Sequence, residues 1–366
     1  MKLYIIAGEA SGDLHGSNLL KAIKSVAPDT QCRVWGGDMM QAAGGELVKH
    51  YRDLAFMGFV EVIANLRTIM RNIAFCKEDI TRFQPDVVVF IDYPGFNLRI
   101  AKWLRQEVNA GRLASKSVYY IAPQIWAWHT SRVHGIKRDL DKVLVILPFE
   151  KAFYEKYGVH CEFVGHPLLD VLQPVTAVAK SAQKTIALLP GSRFQEVKRI
   201  LPIMLSVIPK FIDYQFIIAA SSTIPLSVYE AITAPYGNVA IVTGDTYGVL
   251  RRADAALVKS GTSTLETALI GIPQVVCYTG NRLSFEIAKR LIKIGYISLV
   301  NLIADAPVVE ELIQDNFNTD TLEKALQSIL SPERAQQMQA DYHSIRATLG
   351  EEGASLRAAN AILSFA

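Results

Sequence analysis

Two successive series of short apolar runs restrict this chain's fold more than any other feature. The first comprises residues 2–7, 32–35, 86–91, 117–121, 142–146 and 161–164. The pattern then restarts at 185–189, 215–220, 239–242, 255–258 and 274–278. Many of these runs lack polar alternation, as strands buried on both faces should. Longer amphipathic stretches lie between most of them. Two βα series of this kind predict an α/β protein with two Rossmann-like, doubly wound domains facing across a cleft. The 366 residues are enough for two such domains. The stretch 168–184 reads as a linker, which predicts domains over 1–170 and 171–345. The segment 333–366 reads as helix, a break at Gly350–Gly353, then a helix returning to the first domain, so that 346–366 joins it.

Charge narrows the function classes. Lys and Arg number 38 against 35 Asp and Glu, a formal charge of +3. No concentrated basic stripe accompanies it, so no nucleic-acid partner is expected. An anionic substrate or an anionic lipid surface is compatible with it. The four cysteines are scattered without a Cys-x-x-Cys pair, which argues against disulfides and zinc and fits a reducing compartment. No window holds roughly 18 uninterrupted apolar residues, and the opening run to Ala7 is too short for a signal peptide. The expected location is cytoplasmic, with peripheral attachment to the inner membrane. A greasy stretch at 56–71, with Arg67, Arg71 and Lys77 nearby, suits either a headgroup layer or an acyl-chain groove; it also suits simple packing on a sheet.

Four constellations carry potential chemistry. Gly8-Glu9-Ala10-Ser11-Gly12-Asp13 falls between a strand and a helix expected to start near Leu14. Glycines let a backbone approach a ligand, and a helix N-terminus favours an anion or a polar sugar group. The loop matches neither a Walker A nor a dinucleotide fingerprint. Its two carboxylates argue against a phosphate seated directly there, and a capped turn is the plain alternative. In Phe90-Ile91-Asp92-Tyr93-Pro94-Gly95-Phe96-Asn97, a buried strand ends in Asp92, where open sheets place ligands. Asp92 there can take a proton from an attacking hydroxyl, or merely cap a helix; Asn97 is the better expected cap.

The third constellation, Leu188-Leu189-Pro190-Gly191-Ser192-Arg193, places a planar guanidinium at a helix start, suited to a diphosphate. Glu196, Lys198 and Arg199 continue that helix. The fourth, Lys259-Ser260-Gly261-Thr262-Ser263-Thr264-Leu265-Glu266, offers hydroxyls and backbone N–H groups to a phosphate. Glu266 is spaced to reach ribose hydroxyls. Two further patterns read as structural. Asp139-Leu140-Asp141 mimics a metal-binding Asp-x-Asp, but Lys137, Arg138 and Lys142 surround it, as in a solvated, neutralised turn. The histidines show no ligand spacing; His166, near the linker, reads as a satisfied hinge residue.

Taken together, the ordered motifs resemble the lipid-A-disaccharide synthase family. They are 8–13, 91–97, Trp126-Ala127-Trp128, the run Leu147 to Tyr154, 188–193, 260–266 and Ser298-Leu299-Val300-Asn301-Leu302-Ile303. The resemblance spans essentially the whole chain. It implies a GT-B fold with a UDP-sugar-binding second domain and an acceptor-side first domain. It implies an inverting, metal- and cofactor-independent transfer from UDP-2,3-diacylglucosamine to 2,3-diacylglucosamine 1-phosphate, yielding a β-1,6 disaccharide 1-phosphate and UDP, by a monomer or homodimer. Asp92 falls on the family's acid/base position, and Arg193, Glu266 and Asn301 on nucleotide-site positions. The candidate substrate-binding set is Gly8, Glu9, Ser11, Gly12, Asp13, Gly191, Ser192, Arg193, Ser260, Gly261, Thr262, Ser263, Thr264, Glu266 and Asn301. Val300 and Ala122 depart from the residues common in the family, which bears on local loop geometry.

Three competing readings remain at this point. One is another GT-B-like enzyme: a UDP-N-acetylglucosamine 2-epimerase, or the transferase adding that sugar to a lipid-linked peptidoglycan precursor. Neither accounts for the acidic loop at 8–13 beside Asp92. A non-catalytic sugar-nucleotide sensor would bind UDP without turnover. A nicotinamide dehydrogenase lacks its fingerprint.

Overall fold

The computed structural model describes residues 1–53, 66–126, 130–172, 183–280 and 295–365. The chain divides into two compact units, Met1–Asp170 with Leu349–Ala366, and Val171–Thr348.

Unit 1 is built on a seven-stranded parallel sheet. Its strands are β1 (Lys2–Ala7), β2 (Gln31–Gly36), β3 (Glu46–His50), β4 (Val87–Ile91), β5 (Lys116–Tyr120), β6 (Lys142–Val145) and β7 (Cys161–Phe163), in the order β3-β2-β1-β4-β5-β6-β7. Leu3 to Ala7 and Val87 to Ile91 are fully buried. Helices cover both faces, so every residue of these central strands meets apolar neighbours, which is why their sequences do not alternate. The chain winds outward in both directions from the β1/β4 pair, which makes that pair the topological switch point.

Helix α1 (Ala10–Val26) starts four residues earlier than the expected Leu14. Gly12 sits in its first turn, where a Cβ would lie 3.1 Å from that of Ala7, so a glycine lets the helix begin against the strand end. Helix α2 spans Asp38–Ala42 and α3 Leu66–Phe83. Ile73, Cys76 and Ile80 of α3 face the core, while Arg67, Met70, Arg71 and Phe75 are exposed. Residues 56–65 of the greasy stretch lie outside the described residues, as do Ala127, Trp128 and most of the expected linker. A buried polar network fastens α3 to the sheet. Asp79 accepts from Tyr4 Oη (2.8 Å) and from Arg33 Nε and Nη2 (2.8 Å each), and Trp35 Nε1 donates to Tyr4 Oη at 2.7 Å.

The last helix of the chain, Ala354–Leu363, packs on α1. Asp170 fixes its start by accepting from the N–H groups of Gly353 (2.7 Å), Ala354 (3.0 Å) and Ser355 (2.8 Å). These are donors that a helix N-terminus otherwise leaves without partners. Arg357 then donates to Val164 O at 2.8 Å.

Unit 2 has six parallel strands: β8 (Thr185–Leu189), β9 (Gln215–Ala220), β10 (Val239–Thr243), β11 (Ala255–Lys259), β12 (Gln274–Tyr278) and β13 (Glu310–Ile313). Their order is β10-β9-β8-β11-β12-β13, which puts a second switch point between β8 and β11. Two strands, β3 and β13, were not anticipated. Both are edge strands, half-exposed and rich in charge, so neither presents an apolar run.

Among the described residues, no helix is long and apolar enough to cross a membrane.

Candidate functional site

The unit 1 constellation forms at its switch point. Ala7 pairs with Ile91, so Gly8 and Asp92 leave the sheet side by side. Asp92 and the following Tyr93 both adopt left-handed backbone conformations, with φ of 44° and 50°. Each such residue costs on the order of 1–3 kcal/mol and persists only where its surroundings impose it. Here two buried side chains impose it. Asn97 Nδ2 donates to Asp92 O at 2.7 Å and to Ile91 O at 3.2 Å, and the Tyr119 hydroxyl donates to the same Asp92 carbonyl. Asn97 therefore does not cap the helix, as was expected. Tyr93 takes the cap position of α4 (Pro94–Asn109), and Asn97 reaches back from inside it. The main chain of Asp92 is thereby locked. Its carboxyl is left to the loop, where burial pushes it above the ordinary carboxylate range while the Tyr93 N–H pulls the other way.

Gly8 closes the other side. A Cβ there would lie 2.2 Å from Tyr93 Cδ1, so Gly8→Ala must displace the ring that follows Asp92. Glu9 lies close enough to help burial raise the Tyr93 phenol. Ser11 is half-buried in the first turn of α1. Asp13 points elsewhere: Oδ1 accepts from Gly37 N (2.7 Å) and Met40 N (3.0 Å), and Oδ2 from Met39 N (3.2 Å). Asp13 thus fixes the start of α2, and the acidic motif splits between a site-facing half and an internal half.

In unit 2 the loops after β8 and β11 emerge together, since Leu189 pairs with Val258. Gly191 has φ 109°, and a Cβ there would meet Glu196 Oε2 at 2.5 Å. Helices α5 (Val133–Asp139) and α6 (Pro148–Lys156) belong to unit 1, and Arg193 occupies the cap position of α7 (Phe194–Leu205). Its Nη1 donates to Glu196 Oε1 at 3.2 Å, and the same oxygen pairs with Lys259 Nζ at 3.0 Å. Ser192 is exposed and its carbonyl accepts from Thr223 Oγ1.

The helix Thr262–Ile270 starts at Gly261. Thr262 is exposed and Ser263 half-exposed, whereas Thr264 is buried and donates to Gly261 O at 2.8 Å. Ser260 donates to Ile297 O. Two of the four hydroxyl residues that the candidate set places in this stretch, Ser260 and Thr264, are therefore engaged with backbone carbonyls. Glu266 is half-buried and accepts from Tyr247 Oη at 2.9 Å; burial raises its carboxyl, against the pull of Tyr247 and Ser263. Asn301 is turned inward. Its amide donates to Val309 O (2.9 Å) and Glu311 Oε1 (3.0 Å) and accepts from Val309 N (2.9 Å).

The remaining motifs resolve into structural roles. Asp139 and Asp141 are not a solvated turn. Asp139 is buried and paired with Arg138; Asp141 accepts from Ser117 N at 2.8 Å and pairs with Arg105. They tie together the starts of β5 and β6, the end of the sheet opposite Asp92. Trp126 Nε1 donates to Glu150 Oε1 at 3.0 Å, joining the Trp-Ala-Trp motif to the run from Leu147. Glu150 also accepts from Ile146 N and Leu147 N, and burial raises it to about 7. His166 is buried, its Nδ1 accepts from Leu168 N at 3.2 Å, and burial lowers it to about 3. Tyr119 and Tyr247 were not singled out from sequence; Lys259 opens the fourth constellation but was given no role there.

Two parallel α/β units, each with glycine-bearing loops at its switch point, have the make-up of the GT-B fold. A family model described as lipid-A-disaccharide synthetase matches residues 3–365. The lipid-A-disaccharide synthase of Geobacter metallireducens is 38% identical, over 99% of this chain and 96% of that protein. Among solved structures, a UDP-GlcNAc 2-epimerase from Neisseria meningitidis bound to UDP-GlcNAc superposes with a TM-score of 0.68 at 12% identity, covering 100% of both chains. The glycotransferase of kitacinnamycin gives 0.64 at 16% identity, over 99% of this chain and 98% of that one. At such identities these structures speak for the fold alone. The chain belongs to the lipid-A-disaccharide synthetase family. It is a glycosyltransferase of lipid A disaccharide formation.

Proposed function

We propose that this chain transfers 2,3-diacylglucosamine from its UDP derivative to the 6-hydroxyl of 2,3-diacylglucosamine 1-phosphate, with Asp92 as the general base. The observation that carries the assignment is the locked Asp92 backbone at the unit 1 switch point, which leaves a half-buried carboxyl, raised by desolvation, in the loop. A base whose pKa moves towards the working pH is a better proton acceptor. Asp92 takes the proton as the hydroxyl oxygen bonds to the anomeric carbon and the bond to UDP breaks. One displacement inverts the anomeric centre, so no glycosyl–carboxylate intermediate forms. Negative charge grows on the departing diphosphate, where Arg193 and the start of the helix Thr262–Ile270 stabilise it. Glu266 suits the ribose hydroxyls. Asp13 and Asn301 contribute by holding the loops in place, because their side chains are spent within the fold. The test is product analysis: a β-1,6 disaccharide by NMR supports this reading, and an α anomer overturns it.

Because Asp139 and Asp141 are committed to Arg138, Arg105 and Ser117, no Asp-x-Asp pair is available to carry a metal-bound diphosphate. Excess EDTA should leave the rate within about 2-fold, the scatter allowed here for an effect below ~0.5 kcal/mol. Strong inhibition restored by a divalent ion would show otherwise.

The exposed flank of α3, where Met70 and Phe75 stand beside Arg67 and Arg71, favours peripheral attachment to an anionic membrane face. Cosedimentation with phosphatidylglycerol vesicles should fall several-fold in a Met70→Ser/Phe75→Ser double variant. Unchanged cosedimentation would remove α3 from that role.

A further inference from the structure

One cation of the unit 2 loops, Lys259, carries no role in the donor site described above. Lys259 ends β11, immediately before the glycine turn into the helix Thr262–Ile270. Its ammonium does not extend into solvent; the side chain is 18% exposed. Nζ lies 3.9 Å from where a Cβ on Gly261 would stand, beside the turn that opens the helix. Glu196, projecting from the first turn of α7, receives it at 3.0 Å and receives Arg193 at 3.2 Å on the same oxygen. Gly191, with its positive φ, leaves the room that the Glu196 carboxylate fills. One anion thus holds two cations from two different loops at one switch point. That arrangement carries a formal charge of +1, adjacent to the first turn of the helix Thr262–Ile270.

We infer that Lys259 is a second diphosphate-binding residue of the donor site, held beside Arg193 by Glu196. The inference rests on the donor-site reading given above. A lone Arg193 meets a diphosphate with one fork of donors, while the leaving group develops a charge that one guanidinium balances only in part. Lys259 supplies a compact second charge from the neighbouring loop, and Glu196 keeps both side chains ordered before the ligand arrives, which lessens the ordering cost of binding. Glu196 acts as a positioning residue and touches no phosphate. The arrangement predicts selectivity for diphosphate over the bare nucleoside, because Lys259 makes no contact with uridine.

The experiment compares UDP, by titration calorimetry, with uridine, by NMR titration, on the full-length wild type, Lys259→Met and Lys259→Arg. The expected result is that Lys259→Met weakens UDP about 10- to 100-fold, as loss of one charge-assisted contact should. Uridine affinity should stay within 2-fold in the same variant, which also verifies that the fold survives. Lys259→Arg, which keeps the charge, should recover most of the loss. UDP affinity unchanged in Lys259→Met would overturn the inference while leaving the donor site intact. So would an equal loss for uridine and UDP, or an arginine variant no better than methionine. A wild type that binds no UDP would overturn the donor-site reading itself, and this inference with it.

Discussion

Asp92→Asn should lower kcat about 1,000-fold, within the roughly 100- to 10,000-fold span of general-base catalysis, while UDP affinity stays within 2-fold. The substitution keeps size and hydrogen-bonding shape but cannot take a proton. The Asp92 carbonyl, which Asn97 and Tyr119 hold, is untouched, so the left-handed turn should survive. The pH dependence follows from the direction of the shift. Burial raises the folded-state pKa of Asp92, and the base works only when deprotonated. Wild-type kcat/KM should therefore fall as pH drops through a value above the usual carboxylate range, and the residual activity of Asp92→Asn should lack that limb. A variant with near-normal turnover, or one retaining the limb, would take the base role away from Asp92.

Asp79→Ala should destabilise unit 1 by about 2–3 kcal/mol, as expected when a buried, charged acceptor of several hydrogen bonds is removed while its partner Arg33 can still reach water. Asp79 is 2% exposed and accepts three hydrogen bonds, two from Arg33 and one from Tyr4. Its loss removes the carboxylate that the fully buried Tyr4 hydroxyl donates to, and takes from Arg33 the better buried of its two carboxylate partners, the other being the exposed Glu46. All four tryptophans, Trp35, Trp103, Trp126 and Trp128, precede residue 170, so tryptophan fluorescence in urea follows unit 1 alone. That separation matters, because a single transition cannot be assumed for two units. A midpoint unchanged from wild type would mean that the network contributes little.

The two-sheet architecture was legible because strands buried on both faces cannot hide their composition. Val87 to Ile91 and Ala255 to Val258 read as strands from their apolar runs alone. Edge strands escape this logic. Glu46-Leu47-Val48-Lys49-His50 carries three polar residues in five because its outer edge meets water, so its pairing with β2 is a tertiary fact. The placement of the motifs at strand ends was likewise visible, since glycine and a carboxylate after an apolar run mark a βα turn.

What each side chain does there was less visible. Asp13, Thr264 and Asn301 carry donors or acceptors suited to a ligand, but the fold spends those groups on backbone partners, Gly37 and Val309 lying outside the motifs and Gly261 one turn back. Asn97 looked like a helix cap, yet it stabilises the strained residue five positions earlier. Glu196 and Lys259 meet only because β8 and β11 are neighbours in the sheet. Pairings of that kind depend on strand order, which local patterns do not encode.

The most direct test of the central claim is UDP release from UDP-2,3-diacylglucosamine, with and without 2,3-diacylglucosamine 1-phosphate. Release that requires the acceptor, matched mole for mole by disaccharide 1-phosphate, is the predicted result. Tight UDP binding with no acceptor-dependent release would contradict it and point to a different donor or to a nucleotide sensor.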